Sequence, residues 1–153
     1  MSMYSKILVP LDGSKTAEHA LPLARSFARG LQIPVELLAV VDIAEMARHV
    51  TADHSLTLRT LVEDQTRRCG QYLEGVVKNF PAGAVQCSVR QGNAAEVIIE
   101  SAAPEKDALI AMATHGRSGL DRWLLGSVAE KVLRGASNPL LLVRATNTTP
   151  AWE

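Results

Sequence analysis

Short apolar runs alternate along this chain with segments whose apolar residues recur every three or four positions. This alternation limits the possible folds more than any other feature. Ile7-Leu8-Val9, ended by Pro10, reads as a buried strand. Asp12-Gly13-Ser14 reads as a turn with Ser14 as a helix N-cap. Ala17, Ala20, Leu21, Ala24, Phe27, Ala28 and Leu31 then keep helical spacing, and Pro22 is expected to kink that helix because it has no N–H. Val35–Val41 is a second strand. After a weak stretch at 42–55, a long helix carries Leu58, Leu61, Val62, Cys69, Tyr72, Leu73, Val76 and Val77 on one side, and Pro81-Ala82-Gly83 ends it. Val85, Cys87 and Val89 alternate with Gln86, Ser88 and Arg90, the pattern of a strand exposed on one face or at an edge. Asn93 and Glu96 form a capping box for a helix bearing Ala94, Val97, Ile98 and Ala102. Residues 108–112 make another buried strand, and a loop is expected over 113–126. Ser127 with Glu130 reads as a second capping box, Asn138-Pro139 stops that helix, and Leu140-Leu141-Leu142-Val143 is the last strand.

The order βαβαβαβαβ predicts an α/β fold: a doubly wound, five-stranded parallel sheet with helices on both faces, Rossmann-like, in strand order 3-2-1-4-5. A single domain over residues 1–144 and a flexible tail over 145–153 are expected. In such sheets the ligand lies beyond the carboxyl ends of the strands where the order reverses, here between strands one and four. The segments to weigh are therefore 10–14 and 113–127.

Composition excludes several classes. Lys and Arg number 16 and Asp and Glu 16, so no charge surplus argues for nonspecific nucleic-acid or membrane binding. Aromatics are 4%, too few for stacking platforms on single strands. No apolar run reaches the length of a membrane span, and no secretory signal is visible, so a cytoplasmic protein is expected. Cys69 and Cys87 have no metal spacing and read as two buried thiols. His19, His49 and His54 likewise form no metal pattern and read as surface residues.

The chemistry concentrates in Thr114-His115-Gly116-Arg117-Ser118-Gly119 and the later Gly126-Ser127. Gly116, Gly119 and Gly126 permit close backbone approach and positive φ. A helix opening at Gly126-Ser127 would present unpaired N–H groups to a phosphate. The same residues could equally make only a tight loop and a helix cap. A Walker loop and a dinucleotide G-x-G-x-x-G are both absent. Asp12 at the end of strand one either organises a turn or faces the glycine loop across the crevice. His115 is the one loop candidate for a general base, with no carboxylate orienter in view.

Lys6-Ile7-Leu8-Val9-Pro10-Leu11-Asp12-Gly13-Ser14, Thr114-His115-Gly116-Arg117 with Gly126-Ser127-Val128-Ala129-Glu130, and Asn138-Pro139-Leu140-Leu141-Leu142-Val143 resemble, in order and spacing, the motifs of universal stress proteins. The likeness runs over residues 6–144. It implies the ATP-binding branch, whose signature is Gly-x2-Gly-x9-Gly followed by Ser or Thr. Gly116, nine intervening residues, Gly126 and Ser127 match that signature, but Ala113 replaces the first glycine and disfavours a positive φ there. The resemblance further implies that Pro10, Leu11 and Asp12 meet the adenosine and that Val40 meets adenine through its backbone. Gly116, Gly126, Ser127 and Val128 would then hold phosphates bridged by Mg²⁺. Met112, Ala113, His115, Arg117 and Gly119 complete the expected cofactor-binding set; Arg122 is a further loop cation of unknown direction. The likeness also implies a homodimer through the edge strand at 140–143. The expected function is a stress-response module regulated by ATP. A slow ATP hydrolase on the same scaffold, and an interaction protein that has lost nucleotide binding, remain open beside it.

Overall fold

The computed structural model describes residues 2–48, 55–115 and 126–146. Strands β1 Lys6–Pro10, β2 Val35–Val41, β3 Val85–Gln91, β4 Ala108–Thr114 and β5 Leu140–Arg144 form one parallel sheet in the order β3-β2-β1-β4-β5, as the alternation predicts. Helices α1 Lys15–Glu18, α2 Leu21–Leu31, α3 Ile43–Ala47, α4 Ser55–Val77, α5 Ala94–Ala102 and α6 Ser127–Gly135 connect the strands.

The period-two alternation of side chains divides the core into two layers. Ile7, Val9, Leu37, Ala39, Leu109 and Ala111 face α2 and α4, meeting Leu21, Ala24, Leu73 and Val76. Leu8, Leu38, Ile110 and Met112 face the opposite way, against Ala95 and Ile98 of α5 and Ala129 and Val132 of α6. No polar or charged residue is buried among those described. The small alanines of α2, α5 and α6 let the helices lie close to central strands that are apolar on both faces.

The chain departs from the sequence reading where backbone donors decide the outcome. The helix expected to kink at Pro22 is instead two helices. Glu18 ends α1, and Pro22 falls in the first turn of α2, where a missing N–H costs nothing. The weak stretch after β2 contains α3, capped by Asp42, whose Oδ1 accepts from the Glu45 N–H at 3.0 Å. β4 runs two residues further than expected, so Ala113 and Thr114 lie in the strand opposite Val143 and Arg144. Ser127 does not cap α6. The N-cap is Gly126, without a side-chain cap bond, and Glu130 pairs with Arg134 at 2.9 Å instead of completing a capping box. The Asn93 cap of α5 is as read, its Oδ1 accepting from the Glu96 N–H at 3.2 Å.

The two thiols are less enclosed than expected, Cys87 being exposed on edge strand β3 and Cys69 half-buried. What burial they have pushes both thiols up; a Gln65 hydrogen bond opposes this at Cys69, and the charge of Glu74 adds to it at Cys87. Ala145, read with the tail, is buried, and its N–H donates to the Thr114 carbonyl at 3.0 Å. Residues 147–153 lie outside the described residues. No helix among the described residues is long and apolar enough to cross a membrane.

At the amino ends of the strands two polar clusters tie the elements together. Lys6 Nζ lies 2.8 Å from Glu36 and 2.9 Å from Glu105. Burial lowers the Lys6 pKa, but the hydrogen bonds and charges of both carboxylates outweigh it and leave the ammonium above its ordinary value. The Asn138 side-chain amide donates to the carbonyls of Ala102, Glu105 and Ala108 at 3.1, 2.8 and 3.2 Å. It thereby joins the α6–β5 connection to the end of α5 and the start of β4.

Candidate functional site

The first and fourth strands separate toward their carboxyl ends. Their pairing runs from Lys6 opposite Ala108 to Leu8 opposite Ile110 and stops. Beyond that point β1 keeps pairing only with β2, through Pro10 opposite Leu38, and β4 only with β5, through Thr114 opposite Arg144. A crevice therefore opens at the place where strand order reverses.

The turn after β1 forms one wall. The Leu11 N–H donates to the Leu38 carbonyl at 2.8 Å, which holds Leu11 buried against β2. Asp12 is exposed, and its Oδ1 accepts from the Ser14 N–H at 2.9 Å. This is an Asx turn, closed by Gly13 at φ +86°. Ser14 Oγ then accepts from the Ala17 N–H at 3.1 Å and starts α1, as expected. Asp12 thus performs the turn role, while one carboxylate oxygen is not used by that turn.

The amino end of α6 forms the opposite wall. Gly126 caps it at φ +44° and ψ +145°, a conformation that a side chain would strain. A Cβ there would stand 3.4 Å from Cδ2 and Nε2 of His115. The residue leaving β4 and the residue entering α6 are therefore in close contact across the loop. No side-chain cap bond to α6 is found among the described residues, and its amino end, with its partial positive charge, lies beside His115. Ser127 is exposed at the first helical position, and Val128 packs into the second core layer.

Val40 and Met112 belong to that same layer, on the α5 and α6 face of the sheet. Ala113 points the other way, packed against the first layer. Its backbone is extended, since Gln32 is the only non-glycine with positive φ among the described residues. The alanine that replaces the family's first glycine therefore meets no backbone demand for glycine, and its methyl lies off the Val40–Met112 face. Gly116, Arg117, Gly119 and Arg122 lie outside the described residues, as do His49 and His54. His19 is half-buried, with Nδ1 2.8 Å from the Lys15 carbonyl. No cluster of three His, Cys, Asp or Glu side chains that could hold a metal exists among the described residues.

One neighbour escaped the sequence reading. Tyr72 of α4 buries its hydroxyl beside Glu18 of α1 without a well-aligned hydrogen bond. Burial, then the charge of Glu18 and its carboxylate's attraction for the hydroxyl proton, then the charge of Asp12, raise its pKa far above the ordinary phenol. Its place on an otherwise aliphatic helix face made it look like packing alone.

Comparisons with known proteins agree with this geometry. The model of the universal stress protein family matches residues 3–144. Universal stress protein MJ0577 of Methanocaldococcus jannaschii is 31% identical, over 95% of this chain and 98% of its own length. Its solved structure superposes with a TM-score of 0.79, covering 95% of this chain and 99% of that one at 32% identity. A universal stress protein of Methanothermobacter thermautotrophicus is 33% identical over 94% of this chain and 98% of its own length. Among more distant structures of the same fold, each 18% identical, are a universal stress protein in complex with cAMP at TM-score 0.59 and one from Archaeoglobus fulgidus in complex with dAMP at 0.57. With the family model matched over residues 3–144 and its whole sheet matched by a solved member, the chain belongs to the universal stress protein family.

Proposed function

We propose that residues 1–144 form a single nucleotide-binding domain that holds ATP in the crevice between β1 and β4. In this reading the domain acts in the cytoplasm as a stress-response module whose partner choice follows the nucleotide. The observation that carries the reading is the glycine-capped amino end of α6, with no side-chain cap bond, beside the opening between the two strands. Backbone N–H groups at such an end suit a phosphate. Hydrogen bonds to a charged group contribute about 1.5–3 kcal/mol each, so three or four, less the cost of immobilising the ligand, give binding on the order of micromolar.

In this reading Gly126, Ser127 and Val128 hold phosphate, and Gly116, Arg117 and Gly119 complete the loop. The adenine lies on the aliphatic face of Val40 and Met112, with the backbone of Pro10 and Leu11 and the free side of Asp12 toward the ribose. Ala113 supports the strand and His115 shields the phosphate end. Mg²⁺ would enter with the nucleotide and neutralise phosphate charge at the α6 end of the crevice. The cAMP and dAMP complexes of other proteins with this fold support adenine as the base.

The contact of His115 with Gly126 favours a second reading, a slow ATP hydrolase in which His115 positions water. Turnover of labelled ATP that falls in a His115→Ala variant while binding persists supports hydrolysis. Absence of turnover leaves the regulatory module. The half-buried apolar residues of β5 stand at a sheet edge, which supports a homodimer paired through Leu140-Leu141-Leu142-Val143. A monomer by light scattering contradicts that assembly. Neither nucleic acid nor membrane is a proposed partner, given the balanced charge.

Thermal melting with and without Mg-ATP tests the central reading. At a hundredfold excess over Kd the nucleotide stabilises by about 2.7 kcal/mol, a rise of about 5–10 °C for a chain of this size. An unchanged melting temperature, together with no nucleotide in mass spectra of the purified protein, contradicts it.

A further inference from the structure

We propose that the groove between α2 and the turn joining α4 to β3 is a second binding site, for a small organic anion with an apolar body such as a medium-chain carboxylate. The groove encloses about 790 Å³, within the range of about 300–1,000 Å³ usual for small-molecule sites. It lies at the amino ends of β2 and β3, and none of its lining residues belongs to the β1–β4 crevice. Phe80, Ile33 and Val35 supply an apolar floor, with Phe80 and Val35 buried.

Arg25, Arg29 and Lys78 line the same groove, and no acidic residue does. The chain as a whole carries no net charge, so this is a local excess of three cations. Arg25 spans the two walls, its Nη1 donating to the Asn79 carbonyl at 2.9 Å, which holds the guanidinium in place. Arg29 and Lys78 form no ion pair among the described residues. A fixed guanidinium beside two further cations over an apolar floor is complementary to a carboxylate with an aliphatic tail. Gln32, in the left-handed conformation at φ +56° where glycine is usual, places a polar side chain at the same wall. The cavity's size favours a small molecule over an acidic peptide, which would leave most of its length outside.

Titration of the full chain with sodium octanoate, followed by amide ¹H–¹⁵N spectra, tests the site. Octylammonium, with the same tail and the opposite charge, is the control. Saturable shifts centred on Gln32, Phe80 and Gly83 with octanoate, and none with octylammonium, are expected. The double variant Arg29→Glu with Lys78→Glu should weaken octanoate about tenfold, an effect of about 1.4 kcal/mol. Should that variant fail to fold, Arg29→Gln with Lys78→Gln carries the same comparison. Saturating Mg-ATP should leave the octanoate titration unchanged. Equal binding of octylammonium, shifts centred elsewhere, displacement by Mg-ATP, or unchanged affinity in a folded charge variant each overturns the proposal.

Discussion

Replacing Asn138 by Ala should cost about 2 kcal/mol, because this one amide holds three segments together. Its two N–H groups reach carbonyls at 2.8, 3.1 and 3.2 Å, so two hydrogen bonds are made well and the third is shared. Each net bond is worth about 1 kcal/mol. The loss stays moderate because the Ala102 and Glu105 carbonyls also accept from the N–H groups of Glu105 and Ala108, at 3.1 and 2.9 Å, and are not orphaned. At about 2–4 °C per kcal/mol for this chain length, the melting temperature should fall by about 4–8 °C. Asn138→Asp should be worse than Asn138→Ala, since a carboxylate offers no donor and repels the three carbonyl oxygens. Urea unfolding of the three proteins measures both effects. A loss under about 0.5 kcal/mol for the alanine variant, or an aspartate variant at least as stable as the alanine one, would refute the assignment.

Three further outcomes follow from the same geometry. Glu105 is held below its ordinary carboxylate value first by the Lys6 hydrogen bond. Its contribution is therefore present above the unfolded carboxylate pKa of about 4.3 and lost as pH falls through the lowered folded value. Lys6 is raised, so its contribution is present below the unfolded pKa of about 10.4 and lost as pH climbs through the folded one. A Lys6→Met variant should flatten both flanks of the stability–pH curve, and flanks unchanged from wild type contradict the cluster. Gln32→Gly should raise stability by about 0.5–1 kcal/mol in urea melts by relieving the left-handed residue that caps α2, and a loss contradicts the strain. Tyr72→Phe should change stability by less than about 1 kcal/mol in either direction, since the hydroxyl is buried beside Glu18 without a well-aligned hydrogen bond; a loss above about 1 kcal/mol contradicts this.

The fold was legible because the central parallel strands are apolar on both faces and the helices on one, so Val35–Val41 and the spacing of Leu73 and Val76 state their places directly. What the periodicity could not carry was the fate of single backbone groups. Pro22 fits a kinked helix and a first turn equally well by spacing; in the structure it stands in the first turn of α2, just after the buried Ala20 and Leu21. Ser127 and Glu130 have the residue types of a capping box, yet Gly126 takes the cap at a positive φ that no pattern of apolar residues encodes. Ala113 stands where the family motif has glycine, and the apolar run alone does not show that β4 extends through it to Thr114. Cys87 read as buried because alternation gives the face of an edge strand but not how completely α4 covers it. The cationic groove joins α2 to a turn some fifty residues away, so no local pattern could announce it.

The central claim is that anion binding resides in the glycine-capped amino end of α6, and isothermal titration of Mg-ATP into wild type, Gly126→Ala and Gly126→Asp tests it most directly. Each variant strains the φ of +44° and crowds His115, at about 1–3 kcal/mol of stability, so titrations are run well below each melting transition. Wild type should bind on the order of micromolar, alanine more weakly, and aspartate at least about tenfold more weakly than alanine because its carboxylate meets the phosphates. No heat from folded wild type at millimolar Mg-ATP, or an aspartate variant that binds as wild type does, would contradict the account.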